Sequence, residues 1–151
     1  MSWYQKQNKY KAKKTTFRGL DFDSRVERDR YLYLSDMQRK GEIIFLRRQV
    51  KFQVIPQVTI TIPVQLKTKI RYEKRVVEQA AHYTADFVYK QDGVWVIEDI
   101  KSEITQDVRD FPLRRKLMVN KIYKHNAKGR SQWMFREATL TKGKKLKITD
   151  R

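Results

Sequence analysis

Hydrophobic and polar positions change their spacing along the chain, and the spacing predicts short strands and two helices. Thr15–Phe22 alternates around Gly19, which predicts a short hairpin. Ser24 followed by Glu27 is a capping box, and apolar residues at helical spacing come after it. This pattern predicts a helix over Arg25–Arg39.

The segment after this helix is dominated by strand patterns. Gly41 is placed to end the helix. We expect strands at four apolar runs: Ile43–Leu46, Phe52–Ile55, Val58–Ile62 and Val64–Ile70. Pro63 separates the last two runs, which indicates a bulge or a sheet edge. Tyr83–Tyr89 alternates as a further strand, and Asp92 with Gly93 is typical of a hairpin turn.

The last third of the chain adds a covered strand and a second helix. Val94–Ile97 is apolar on both faces, as a strand covered on both sides would be. A helix is predicted from Asp107 or Pro112 to His125, and a last strand at Trp133–Phe135. The order of elements predicts an α/β fold with a mixed central β-sheet flanked by helices.

Charge is the most unusual feature of the composition. The 151 residues suit one domain, and 40% of them are hydrophobic, which is enough for a folded core. Lys and Arg number 35 against 17 acids, giving a net charge of +18. A small soluble domain normally carries a net charge of about 2–8, so a polyanionic partner is expected.

Several classes of protein are excluded by residue types that are rare or absent. The chain has no cysteine, which excludes disulfide scaffolds, zinc fingers and thiol catalysis. It has 2 histidines, too few for a multi-histidine metal site. No apolar run reaches the ~20 residues that a membrane span needs, and the polar N-terminus lacks a signal-peptide pattern. We therefore expect a cytoplasmic protein without membrane contact.

Cations are concentrated at both ends and on the predicted second helix. Residues 1–16 are interpreted as a basic arm, 17–138 as the folded domain and 139–151 as a basic tail. The cations predicted to contact DNA are Lys11, Lys13, Lys14, Arg114, Arg115, Lys116, Lys121 and Lys124. The alternative is an ordinary solvated surface, because basic tails and helix faces are common without a bound nucleic acid.

Candidate chemistry lies on the strands on either side of the predicted hairpin turn. Asp99 and Lys101 are two residues apart and point to the same face of their strand, while the hairpin can bring Asp86 beside Asp99. Such carboxylates are hard oxygen ligands for Mg²⁺ or Mn²⁺, and Glu27 could complete the cluster. Glu98 is expected to point to the other face, unless a bulge exchanges it with Asp99. The alternatives are a surface ion pair between Asp99 and Lys101, and a purely capping role for Glu27.

The chain has a glutamate on a predicted helix, then an aspartate and an Asp-x-Lys motif on consecutive strands: Glu27, Asp86 and Asp99 with Lys101. This order of residues resembles the PD-(D/E)XK nuclease superfamily. The resemblance covers about residues 10 to 136 and is closer still to a phage-encoded family within the superfamily. The segments that carry it are residues 22–27, 31–32, 41–43, 46 with 49, 83–87 and 97–101. The layout is similar to archaeal-type Holliday-junction resolvases and to the endonuclease subunit of heteromeric transposases. Ala85 replaces the superfamily's proline before the first aspartate.

The resemblance implies a restriction-endonuclease-like nuclease core and roles for five residues. Glu27, Asp86 and Asp99 would be metal-site carboxylates, and Lys101 would be the catalytic lysine. Gln49 would assist the site. The implied cofactor is Mg²⁺, with Mn²⁺ as a substitute.

The function expected from these observations is metal-dependent hydrolysis of DNA phosphodiesters by a phage Holliday-junction resolvase. Symmetric cutting of two strands would require two active sites and hence a homodimer. One alternative is a nicking or double-strand endonuclease of the transposase-subunit type, which would depend on a protein partner. Another is a basic DNA-binding protein without catalysis.

Overall fold

The computed structural model describes residues 14–102 and 111–151. The strands are β1 (Thr15–Phe17), β2 (Leu20–Phe22), β3 (Ile44–Ile55), β4 (Val58–Gln65), β5 (Ile70–Glu78), β6 (Ala81–Gln91), β7 (Val94–Ser102), β8 (Trp133–Leu140) and β9 (Leu146–Asp150). The helices are α1 (Arg25–Arg39) and α2 (Phe111–Asn126). Within these residues, neither helix is long and apolar enough to cross a membrane.

A mixed five-stranded sheet forms the centre of the fold. Its strand order is β3-β6-β7-β8-β9. β7 and β8 are parallel and are joined through α2, whereas the other neighbours are antiparallel. The prediction of an α/β fold with a mixed central sheet is confirmed.

The two helices cover opposite faces of this sheet. Leu34 of α1 packs with Phe87 in one cluster of buried residues, which we name the α1-side core. Met118 of α2 packs with Val88 in a second cluster, the α2-side core. Successive residues on a strand point to opposite faces, so Phe87 and Val88 show that the sheet lies between the two cores.

Local signals define both ends of α1. The Ser24 hydroxyl accepts a hydrogen bond from the Glu27 N–H (3.1 Å), and Glu27 Oε2 accepts one from the Asp23 N–H (3.0 Å). Gly41 follows the C-cap with a φ of +78°, a left-handed conformation that favours glycine. The predicted helix and its two ends are confirmed.

The third strand is longer than predicted. Ile43–Leu46 and Phe52–Ile55 were predicted as separate strands, but β3 is continuous over both regions. Phe45 and Gln49 have φ values of +58° and +50°, which local patterning does not reveal for these residue types.

The sequence predicted a strand over Val64–Ile70, where the chain instead turns, but the sheet edge expected at Pro63 is confirmed. β4 continues through Pro63 to Gln65, and a turn over residues 66–69 leads into β5, which the sequence did not predict as a separate strand. Pro63 is tolerated because β4 belongs to a two-stranded sheet and therefore has an open edge.

The C-terminal segment is part of the central sheet. The predicted last strand at Trp133–Phe135 is only the beginning of β8, and β9 follows and pairs with it. Residues 139–151, expected as a basic tail, thus include the end of β8 and all of β9. The predicted helix start at Asp107 lies outside the described residues, and α2 is described from Phe111 to Asn126.

Candidate functional site

β6 and β7 separate where two of the predicted site residues lie. Their antiparallel pairing ends at Phe87 and Glu98, whereas β7 remains paired with β8 to its end. Asp86 and Asp99 are the next residues on the separating strands. The Ile100 N–H donates to Asp86 Oδ2 (2.9 Å), so an aspartate side chain spans the opening between the strands. We name this opening the strand fork.

At the fork, the side chains of both β3 and β6 exchange the faces of the sheet to which they point, a change that we call a turnover. Ala85 and its partner Val50 lie on the α2-side core, whereas Phe87 lies in the α1-side core. Residues two apart on a regular strand share a face, so β6 turns over at Asp86. Gln49, opposite Asp86 on β3, has a φ of +50°. This turnover brings the Gln49 and Asp86 side chains together towards α1.

Gln49 links the carboxylate of α1 to the carboxylate of β6. Its Nε2 donates to Glu27 Oε1 (2.9 Å) and to Asp86 Oδ1 (3.2 Å). Glu27 is 3% exposed. Burial, together with the charge of Asp86, raises the pKa of Glu27, and burial also raises the pKa of Asp86. The predicted Glu27, Gln49 and Asp86 are therefore one connected group.

Asp99 and Lys101 form the second half of the site. Asp99 is 2% exposed, and its Oδ2 lies 3.2 Å from Lys101 Nζ. That oxygen is buried and has no hydrogen bond of good geometry. Burial raises the pKa of Asp99 to about 7; Lys101 opposes this shift and Asp86 adds to it. The Lys101 ammonium also lies 4.9 Å from the ring centre of Phe111, at the start of α2.

Two residues that the sequence analysis missed adjoin these carboxylates. The buried Tyr83 hydroxyl faces Asp99 without a well-formed hydrogen bond, and burial with that charge raises the pKa of Tyr83. Arg48 lies 3.8 Å from Glu27 Oε1 and stacks its guanidinium 4.0 Å from the Phe22 ring centre. Neither has a distinctive sequence signal, because a strand tyrosine and a strand arginine in a basic chain are both ordinary.

The site has the donor chemistry for a divalent cation, centred on two aspartates. Within the described ranges, no group of three or more Asp, Glu or His side chains is gathered closely enough to hold a metal ion. Glu27 uses both carboxylate oxygens, for Gln49 and for the Asp23 N–H. Asp99, in contrast, has a buried oxygen without a hydrogen bond. Asp86 also accepts hydrogen bonds at both oxygens, from Gln49 and from the Ile100 N–H, but a carboxylate oxygen can accept from more than one partner. Asp86 and Asp99 are therefore the groups that would hold a cation at the fork, with Glu27 connected to them through Gln49.

The strand fork lies inside a region that is shared with other proteins. A family model described as "Protein of unknown function (DUF1064)" matches residues 7–143. The chain belongs to the DUF1064 family. No curated protein matches the chain. The matched region of this DUF1064 protein contains α1, α2 and the whole fork.

The cations predicted to contact DNA have different surroundings in the DUF1064 protein. Arg114, Lys116 and Lys124 are exposed on α2, and Lys121 is half-buried beside them. Arg115 differs, because its guanidinium lies 3.6 Å from Glu137 Oε2. Lys14 is exposed, whereas the predicted Lys11 and Lys13 lie outside the described residues.

Lys121 and Lys124 also line a cavity of about 300 Å³ at the far end of α2. Its wall includes Trp133, whose ring stacks on that of His125 with 3.8 Å between their centres. His125 also shares a 2.9 Å hydrogen bond with the Ser131 hydroxyl. This histidine therefore holds the end of α2 against β8.

Glu98 belongs to a different network on the opposite face of β7. Arg30 donates to its two carboxylate oxygens at 2.6 and 2.9 Å, and the Tyr89 hydroxyl donates to Oε2 at 2.6 Å. The expectation that Glu98 points away from Asp99 is confirmed. A fully buried carboxylate with three donors is a structural group rather than part of the fork.

Proposed function

We propose that this DUF1064 protein is a metal-dependent DNA endonuclease that hydrolyses phosphodiester bonds. The observation that carries the proposal is the strand fork itself. It places Asp86, Asp99 and Lys101 together at the point where paired strands separate. Buried carboxylates with raised pKa values beside an ammonium are typical of catalytic sites rather than of stabilising surface pairs.

In the proposed reaction, Asp86 and Asp99 would hold Mg²⁺, or Mn²⁺ in its place. When bound, the cation would supply Lewis-acid stabilisation of charge at the scissile phosphate. Lys101 has a 26% exposed side chain, so its ammonium is accessible from solvent and can hydrogen-bond to the attacking water. A water oxygen forms the new bond to phosphorus as one P–O ester bond breaks, and the leaving oxygen takes a proton.

Gln49 and Glu27 would act by positioning. The Gln49 amide fixes one oxygen of Asp86 while the Ile100 N–H fixes the other, so the carboxylate plane is set from both sides. Glu27 orients Gln49 through its own hydrogen bond. Groups that orient metal-binding carboxylates in this way commonly contribute about 10–100-fold to activity.

DNA is the proposed substrate because of the charge, and branched DNA is proposed because of the family resemblance. A net charge of +18 favours a polyanionic partner, and exposed cations on α2 could contact its phosphates. Cutting a four-way junction symmetrically would require two copies of the fork, and hence a homodimer. An endonuclease of the transposase-subunit type would instead need a protein partner.

The test is cleavage of a labelled four-way junction beside its matching linear duplex, at about 0.15 M salt so that non-specific attraction is partly screened. Paired nicks confined to the junction with Mg²⁺, and lost in EDTA, are expected. Equal cutting of the duplex would retain the nuclease and reject junction selectivity. Absence of cutting with both Mg²⁺ and Mn²⁺ would contradict an independent nuclease and favour a DNA-binding protein or a partner-dependent enzyme.

Two substitutions of Gln49 separate the effect of its amide on cleavage from the effect of its backbone conformation on stability. Gln49→Ala and Gln49→Gly both remove the amide, so each is expected to slow cleavage by about 10–100-fold. The glycine variant should be more stable than the alanine variant by about 1 kcal/mol, because φ is +50° at this position. Initial cleavage rates and thermal unfolding curves measure the two effects. An alanine variant with the wild-type rate would remove Gln49 from the mechanism.

A further inference from the structure

A long hairpin extends the β3 and β6 pair beyond the central sheet. Inside the sheet their pairing ends at Ile55 and Ala81, and the pairing of β4 with β5 begins at Val58 and Glu78. β4 and β5 form a separate two-stranded sheet. We name residues 56–80 the β arm.

The β arm ends far from the strand fork. Asp86 lies 16 positions after Ile70, the first residue after the tip. At the strand rise of about 3.3 Å per residue, this separation corresponds to roughly 50 Å along the ribbon. One turn of duplex DNA is about 34–36 Å long, so a ribbon extended over this length would reach more than one helical turn from the fork.

The charge of the β arm is positive and largely unpaired. Its sequence contains 5 Lys and Arg residues and 2 Glu residues. Arg71 pairs with Glu73. Lys67, Lys69 and Lys74 are exposed, and no ion pair to a described carboxylate holds any of these lysines. The lysines at and near the tip are therefore available for an anionic partner.

The apolar side chains of the β arm do not form a broad face that would favour a second copy of the chain. Ile60, Ile62 and Val64 form one apolar row on β4, but each of them pairs with a charged residue of β5. The most exposed large apolar residue, Tyr72 (71%), lies opposite Pro63 on an edge strand. Charged or polar side chains thus interrupt the apolar surface, unlike the apolar centre of a stable dimer interface.

We infer that the β arm is a second DNA-binding element that lies along a duplex more than one helical turn from the fork. The inference rests on the proposed function in taking DNA as the ligand. A two-stranded β-ribbon fits the major groove, and lysines along it can neutralise phosphates on both sides. The arm would set the length of duplex that the protein requires on one side of the cut.

The test measures binding in EDTA, without cleavage, to labelled duplexes of about 8 and about 24 base pairs, which are shorter and longer than the reach of the arm. The arm variant is Lys67→Gln/Lys69→Gln/Lys74→Gln. The matched control is Lys142→Gln/Lys144→Gln/Lys145→Gln, three exposed lysines around the turn at the opposite edge of the sheet. Fluorescence polarisation over a series of salt concentrations gives the slope of log affinity against log salt.

The arm variant is expected to lower the magnitude of this slope by about 2–3 on the long duplex, because each lost phosphate contact removes about 0.9. Its slope on the short duplex should equal that of the wild type. The control variant should change the slope equally on both duplexes or on neither. Unchanged binding by the arm variant, or an equal loss of affinity at both duplex lengths, would overturn the inference. It would also be overturned if sedimentation showed a dimeric wild type and a monomeric arm variant, because the arm would then be a dimer interface. Wild-type protein that binds in this length-dependent way but cuts no DNA would refute the nuclease proposal alone.

Discussion

Replacing Asp99 with asparagine is expected to abolish metal-dependent cleavage and, at the same time, to stabilise the metal-free protein at pH 8. Loss of a metal ligand removes several kcal/mol of charge stabilisation, which corresponds to a rate decrease of about 10³-fold or more. Asparagine keeps the shape of the side chain, so the fold around the fork should persist. An increase in stability on loss of activity would identify Asp99 as a functional rather than a structural residue.

The sign of the stability change follows from the pKa of Asp99. Its ordinary value is 3.8, and burial raises it to about 7 in the folded protein. The folded state therefore binds the proton more tightly than the unfolded state, and the stability that this group contributes is lost as pH rises from about 4 to about 7. Asparagine carries no charge, so the difference in stability between the variant and the wild type should grow from about pH 4 to about pH 7 and then stay constant.

Thermal unfolding of both proteins at pH 5 and pH 8 measures this difference. In EDTA, the variant should exceed the wild type by more at pH 8 than at pH 5. Added Mg²⁺ should stabilise the wild type, because it binds the folded state, and should leave Asp99→Asn unchanged. A variant less stable than the wild type at pH 8, or equal stabilisation of both proteins by Mg²⁺, would contradict the assignment of Asp99 as a metal ligand.

Glu98→Ala is expected to have the opposite effect, a large loss of stability with little effect on cleavage by the remaining folded protein. Glu98 is fully buried, and the Arg30 side chain that binds it is only 9% exposed. Removing one member of a buried ion pair leaves the other charge without compensation, at a cost of about 3–5 kcal/mol. For a chain of this size, the melting temperature should fall by about 10 °C or more.

A double substitution provides the control for this prediction. Arg30→Met/Glu98→Met removes both charges and keeps the volume apolar, so it should recover most of the stability. The Tyr89 hydroxyl keeps a partner in that variant, because Arg136 donates to it at 3.1 Å. Chemical denaturation gives the free energy of unfolding of each protein. A double variant as unstable as Glu98→Ala would mean that the ion pair is not the source of the loss.

Several features of the protein follow from its sequence because they depend on neighbouring residues. The capping box at Ser24 and the glycine at position 41 bound α1, and both act within a few residues of the chain. Asp92 and Gly93 have φ values of +49° and +80°, the conformation that makes this dipeptide typical of hairpin turns. Strand alternation likewise places Asp99 and Glu98 on opposite faces.

Only the tertiary structure decided how these parts form a site. The positive φ of Gln49 and the turnover of β6 at Asp86 occur opposite each other on two strands that are 37 positions apart at this point. Arg30, the partner of Glu98, lies 68 positions away. Local propensities cannot encode such features, because a glutamine does not itself favour a left-handed conformation and a charged side chain does not specify its partner. The sequence alone therefore predicted which residues could perform chemistry, whereas long-range pairing and burial determined that β6 and β7 separate beside them.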